Sequence, residues 1–203
     1  MASTSCFPSK NLGCYGDGGA IFTNDDALAH TIRGIVNHGM YARYYHDVVG
    51  VNSRLDAIQA GALEVILPLL QQYCETRRNA ARFYNAAFAN NPNIITPTSS
   101  SCGEICDTCN CHVFHQYTLQ LSGDLDRDAL VSYLQSQEIP CMIYYTVALH
   151  MQKAYRDDRY NDGSFPVTEA LVKSVFSLPM HTELSHEQLT KITTAVADFI
   201  KNN

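Results

Sequence analysis

From Arg54 to Ala89 the apolar residues recur with the period of a helix, and this run constrains the fold more than any other feature of the chain. Leu55, Ile58, Ala62, Ile66 and Leu69 fall on one helical face. Pro68 lacks a backbone donor and crowds the preceding turn, so it kinks or breaks the run. A second helix over about 71–89 then carries Tyr73, Arg77, Ala80, Tyr84 and Phe88, and Asn90-Asn91-Pro92-Asn93 stops it, since Asn and Pro favour turns. A long helical connection ending at this turn is expected to divide the 203 residues into two lobes.

Before the connection, Ala20-Ile21-Phe22-Thr23 reads as a short buried strand. A helix follows, capped by Asn24 or Asp25 and marked by Leu28, Ile32 and Ile35/Val36 up to a stop at Asn37-His38-Gly39. Residues 40–53, with Tyr41, Tyr44, Tyr45 and His46, show no period and read as an ordered loop whose tyrosines pack locally. After the connection the chain alternates: a strand over 115–121, a helix over 126–137 with an acidic first turn, and a strand over 141–145. A short helix after Pro166, the segment Val175–Pro179 and a last helix complete the pattern. The last helix opens on Ser185-His186-Glu187-Gln188, a capping box, before Leu189, Ile192, Val196 and Ile200. The class is α/β, with an α+β second lobe.

Hydrophobic residues make up 46% of the chain, enough for a core in one domain or two small ones. The net charge is −6 with no basic run. Phosphate neutralisation requires clustered Lys and Arg, so no nucleic-acid partner is expected. No stretch has the apolar length of a membrane span, and the first residues lack the charged and apolar regions of a leader. A cytoplasmic protein with no membrane partner is the expectation, and in that compartment its eight cysteines are expected to be thiols.

The chemistry concentrates near the start. Lys10 is the only lysine before Lys153, and it sits in a segment with glycines at 13, 16, 18 and 19. A neutral lysine amine attacks an aldehyde to form a Schiff base. Four glycines would let the backbone approach a bulky ligand and take positive φ; equally, the segment could be a plain surface turn with a solvated lysine. Phosphate-loop patterns do not fit, because the lysine precedes the glycines and Gly16-x-Gly18 lacks the third glycine of the dinucleotide fingerprint.

The order of motifs carries more. Ser5-Cys6-Phe7-Pro8-Ser9-Lys10-Asn11-Leu12-Gly13, Gly16-Asp17-Gly18-Gly19-Ala20, Thr23-Asn24-Asp25, Asn37-His38-Gly39 and Gly50-Val51-Asn52-Ser53-Arg54-Leu55-Asp56 together resemble the DegT-type sugar aminotransferases. The likeness continues through His112-Val113-Phe114-His115-Gln116-Tyr117, Ile139-Pro140, Ile143-Tyr144-Tyr145, Leu149-His150, Phe165-Pro166 and Ser177-Leu178-Pro179-Met180. It covers nearly the whole chain.

The resemblance implies a fold-type-I transferase dependent on pyridoxal 5'-phosphate, with residues 1–75 the end of the cofactor-binding large domain and 76–203 the small α+β domain. It implies transfer of an amino group, usually from glutamate, to a keto-sugar linked to a nucleotide. Lys10 matches the residue that binds the cofactor and shuttles the proton. Ser5 matches a hydroxyl that meets the cofactor phosphate, and Asn52 the residue that reaches the phosphate of a neighbouring subunit's cofactor, which implies a homodimer with shared sites. Arg54 matches a residue that orients this turn or meets an acidic substrate group; a salt bridge at the helix start is its alternative. Tyr145 and His150 fall in the family's Tyr-Pro-x-Pro-Leu-His loop near the sugar, but Thr146 and Ala148 stand where prolines are usual, so a less rigid loop is expected. Cys6 replaces a usual aromatic.

Family members precede this lysine with a long half that cradles the phosphate, stacks on the pyridine ring and supplies an Asp to its nitrogen. The chain resembles the C-terminal half, and by itself it is expected to be inactive or nearly so. The alternative is a non-catalytic module that self-associates or binds a partner subunit. One feature stands apart: Cys102-x3-Cys106-x2-Cys109-x-Cys111-His112 has the spacing of a four-iron cluster motif in its first three members. It precedes a small α+β lobe rather than a barrel and lacks the second Cys pair of a zinc site, so reduced thiols or a local disulfide are the expectation and no metal is assigned.

Overall fold

A computed structural model describes residues 1–98 and 111–203. The chain forms two compact units, Met1–Tyr73 and Cys74–Asn203. The division falls inside a helix whose buried residues all lie from Cys74 onward, with Ala80, Ala81, Tyr84 and Phe88 in the second unit's core.

In the first unit, strands β1 (Ala2–Ser5) and β2 (Gly19–Phe22) pair antiparallel, Ser5 opposite Gly19 and Ala2 opposite Phe22. The run at 20–23 is a strand, as its apolar content suggested, but it is not buried within these residues: Ile21 and Phe22 are half exposed. Helix α1 (Asp26–Val36) starts where the Asp25 carboxylate accepts the Leu28 N–H, the ordinary N-cap arrangement. It stops where His38 and Gly39 adopt positive φ, and Gly39 N–H closes on Gly34 O at 2.8 Å. Gly39 is obligatory: a Cβ there would lie 1.8 Å from Val48 O. Residues 40–53 contain two short strands instead of a loop alone, β3 (Met40–Ala42) and β4 (Tyr45–His46). The Tyr41 ring stacks on His30 at 4.5 Å and covers Gly34, whose absent Cβ makes the room.

Helix α2 (Ala57–Ile66) runs into a 3-10 turn at Leu67–Leu69, which contains Pro68, and α3 (Leu70–Phe88) continues from it. No residue of α2 is buried. Ile58 is 77% and Val65 72% exposed, while Ala62, Leu63 and Ile66 are partly covered.

The second unit holds a three-stranded antiparallel sheet, β5 (Ile94–Ile95), β6 (Tyr117–Leu121) and β7 (Val175–Leu178), with β6 central. Tyr117, Leu119 and Leu121 alternate into the core while Thr118 and Gln120 do not, the period-two signature of a strand buried on one face. They meet Tyr84 and Phe88 of α3, Leu130 and Leu134 of α4 (Arg127–Ser136), and Ile192, Val196 and Phe199 of α6 (His186–Asn202). Asp126 caps α4, and the Ser185–Gln188 box caps α6. Between them lies α5 (Pro166–Ser174). The expected strand over 141–145 does not form. Met142 makes an isolated bridge to Ser177, with N–H···O distances of 3.1 and 2.7 Å, and the chain then turns away at Tyr144. Arg77, buried on α3, donates to the carbonyls of Phe114, His115 and Met180 at 2.9–3.2 Å and ties that helix to two loops.

Candidate active site

Lys10 sits in the connection between β1 and β2, and that connection is wired to itself. Cys6 N–H donates to Gly18 O and Cys14 N–H to Cys6 O, each at 2.8 Å. The single S–H of Cys14 is shared between Cys6 O, 2.9 Å from the sulfur, and Gly16 O at 3.1 Å. Inside this closure Lys10 N–H reaches Phe7 O at 2.8 Å, a tight turn with Lys10 half-buried. Ser5 ends β1, and its hydroxyl accepts the Phe7 N–H at 3.2 Å. Burial, with the neighbouring Cys14, pushes the Cys6 thiol above its usual range, so it is a packing residue rather than a reactive one.

The glycines have a different role from the one expected. None of Gly13, Gly16, Gly18 and Gly19 takes positive φ. A Cβ at Gly13 would lie 2.5 Å from Pro8 O, at Gly18 2.8 Å from the Cys14 sulfur, and at Gly19 2.7 Å from Thr4 O. They let the loop fold onto itself, with no ligand required. Gln59 of α2 was missed as an anchor: its side-chain oxygen accepts the Tyr15 N–H at 2.8 Å and its amide lies against Gly16. The sequence signal was its place three residues into the first turn after Asp56, facing the same unit.

Asn52 and Arg54 are brought together. His38 N–H binds Val51 O, Val51 N–H binds Ile35 O and Ser53 N–H binds Val36 O, so the end of α1 holds residues 51–53 in place, and Asn37 bridges Asn52. Arg54 Nε donates to the Asn52 side-chain oxygen at 3.1 Å, and it forms no salt bridge with another described residue. Both line a cavity of about 710 Å³ with Thr4, Asp17, Arg33 and Asp56. Lys10 and Ser5 are not in its lining.

Tyr145 and His150 lie in the second unit, in the lining of two cavities of about 630 and 420 Å³ that share Leu149 and Thr168. Tyr145 is largely exposed. The His150 side chain is 8% exposed: its ring packs on Phe165 at 4.8 Å and its Nε2 meets Glu169 at 3.1 Å. Glu169, which sequence reasoning passed over, also accepts the N–H groups of Phe165 and Gly163. These bonds, with His150 behind them, hold its carboxyl below the usual range.

Of the cysteine cluster, positions 102, 106 and 109 lie outside the described residues. Cys111 is disulfide-bonded, one of the two states expected for the cluster; Cys6, Cys14, Cys74 and Cys141 form no disulfide. Among the described residues no group of three or more His, Cys, Asp or Glu side chains could hold a metal, and no helix is long and apolar enough to cross a membrane.

Two antiparallel strands around a lysine-bearing turn are followed by a helical connection and a small α+β unit. Residues 1–197 match the model of the DegT/DnrJ/EryC1/StrS aminotransferase family, and the chain belongs to that family. It is 41% identical over 203 residues to a "Pleiotropic regulatory protein" of Geobacillus stearothermophilus, covering 99% of this chain and 52% of that one. It is 40% identical to a UDP-N-acetyl-3-dehydro-alpha-D-glucosamine 3-aminotransferase of Acidithiobacillus ferrooxidans, covering 95% and 48%. The crystal structure of S. venezuelae DesV in complex with a ketimine intermediate superposes with a TM-score of 0.87 at 34% identity, covering 97% of this chain and 50% of that one. The chain thus spans about half the length of the curated relatives it matches.

The donor set fits pyridoxal phosphate at its aldehyde and phosphate ends. The Lys10 ammonium makes no ion pair or hydrogen bond to another described residue, so nothing competes for it, and the Ser5 hydroxyl keeps its proton to donate while accepting from Phe7.

Proposed function

We propose that the protein transfers an amino group from an amino acid, usually glutamate, to a nucleotide-linked keto-sugar, with Lys10 binding pyridoxal phosphate. When bound, the cofactor supplies the electron sink for moving an amino group between carbons. Lys10 would hold it through its Nζ and would move the proton at the substrate carbon. The Ser5 hydroxyl donates to the phosphate. Asn52 serves the phosphate of a neighbouring subunit, so the working form is a homodimer, with Arg54 fixing the Asn52 amide. Tyr145 and His150 contact the sugar. Residues 1–75 are proposed as the end of the cofactor domain, 76–203 as the small domain, and the cytoplasm as the site of action.

The observation that carries this is the uncommitted Lys10 amine in a self-closed loop within the matched family segment. Borohydride reduction in the presence of pyridoxal phosphate, followed by peptide mass mapping, is expected to tag Lys10, and Lys10→Ala is expected to abolish the visible absorbance of the bound cofactor. A tag on another residue refutes the assignment. Because its relatives are about twice as long, the 203-residue chain assayed alone is expected to turn over slowly or not at all; full activity of the chain alone with glutamate and a keto-sugar nucleotide contradicts this.

A further inference from the structure

The ring of His150 is held by a carboxylate hub. Glu169 Oε1 takes His150 Nε2 at 3.1 Å, Phe165 N–H at 3.1 Å and Gly163 N–H at 3.0 Å, and Oε2 takes Gly163 N–H again at 2.9 Å. Every partner of this carboxylate is a donor, and an ionised carboxylate only accepts. The proton of a neutral His150 ring is therefore on Nε2. Nδ1 is left with a lone pair and makes no hydrogen bond to a described residue. Nor is it among the fully buried polar atoms without a partner, and His150 is in the lining of the adjacent cavity. Phe165 packs on the ring at 4.8 Å and Tyr160 packs on Phe165 at 5.4 Å, which blocks rotation of the imidazole. The cavity of about 420 Å³ beside it is lined by His150, Tyr155, Tyr160, Phe165 and Asp157.

We infer that Glu169 is a positioning residue: it fixes His150 in the Nε2–H form and orientation, so that Nδ1 accepts a hydroxyl of the sugar in a nucleotide-linked substrate. The inference rests on the reading of His150 as a sugar contact and names the residue that makes that contact specific. A ring able to exchange tautomers would offer an acceptor half the time and a donor the other half; a fixed tautomer distinguishes a hydroxyl from a bare acceptor.

The test is nitrogen-15 NMR of the side-chain imidazoles in the 203-residue chain, at a pH where His150 is neutral, with UDP-N-acetylglucosamine and UDP as probes. Wild type is expected to show His150 as Nε2–H, with Nδ1 shifting on addition of the sugar nucleotide and not of UDP. Glu169→Gln, which keeps the shape but offers one acceptor atom for the three donors, is expected to mix the tautomers and weaken the sugar nucleotide about twofold, the cost of halving the ring population that presents an Nδ1 acceptor. Glu169→Asp, which keeps the charge, is expected to restore part of both. A purely structural Glu169 would lower the melting temperature in Glu169→Gln and leave the tautomer alone, which overturns the proposal. A fixed tautomer with no response to the sugar nucleotide, or with an equal response to UDP, overturns the hydroxyl contact. Either failure leaves the Lys10 labelling result standing, so the two readings fail separately.

Discussion

Replacing Gly13 by Ala tests whether the lysine loop is set by its own packing. The new Cβ would fall 2.5 Å from Pro8 O, 2.9 Å from Pro8 C and 3.1 Å from Phe7 O. All three are backbone atoms, so no side chain can swing aside, and the turn that carries the Lys10 N–H to Phe7 O bond has to open. Overpacking of this kind costs about 1–3 kcal/mol. The loss is local, so amide exchange is the right assay: the Lys10, Cys14 and Tyr15 N–H groups, bonded to Phe7 O, Cys6 O and Gln59, are expected to exchange about tenfold faster per ~1.4 kcal/mol lost. Borohydride tagging of Lys10 is expected to fall with them. Gly61→Ala is the internal control, since nothing lies within 4 Å of its Cβ position and Ala is preferred to Gly inside a helix by about 1 kcal/mol. That variant is expected to be as stable as wild type or more so, with Lys10 tagged as before. Unchanged exchange and tagging in Gly13→Ala would refute the claim that the glycines exist for self-packing.

Other perturbations reach the rest of the molecule. Arg77→Met is expected to destabilise the second unit by about 2–4 kcal/mol in urea unfolding, because the three carbonyls it serves lose their donors inside the fold; no loss would mean that water replaces them. The Glu169 carboxyl titrates lower folded than unfolded, so its stabilising effect is present above the unfolded carboxylate range and is lost as pH falls through the lower folded value. As pH falls below the unfolded carboxylate range and through the lower folded value, the Gly163 and Phe165 amides are expected to exchange faster ahead of the core, and simultaneous loss of both would contradict this. The exposed apolar residues Ile58, Val65, Leu67 and Leu69 are expected to drive self-association of the 203-residue chain. Light scattering that shows only monomer counts against it, and Ile58→Glu with Val65→Glu is expected to reduce association.

Helices were legible because their signals are local. Asp25, Asp126 and Ser185 each sit one residue before the helix they begin, and Pro68 marks a break that needs no distant partner to occur. Strands were less so. The apolar run at 141–145 looked like β6 in composition, but a strand is made by its neighbour, and only Met142 finds one, in Ser177. The run at 20–23 pairs as expected and is nonetheless exposed. Hydrophobicity tells which residues gain from burial; what covers them is a matter of packing that a linear pattern does not contain.

The same distinction runs through the candidate site. Lys10 stands out in the sequence because a lone lysine among glycines is rare in this chain, and Asn52 and Arg54 stand two residues apart, close enough for one turn to join them. Glu169 gives no such sign: in sequence it is an ordinary acidic residue in the first turn of a short helix, a place where carboxylates are favoured for the helix alone. Its partners Gly163, Phe165 and His150 span 16 positions of chain, and only the path through the turns at 149–165 brings them to one carboxylate. Chemistry that depends on a single side chain is visible before folding. Chemistry that depends on which lone pair a ring presents is decided by residues that are ordinary until the chain assembles them, and the tautomer of His150 is of this second kind.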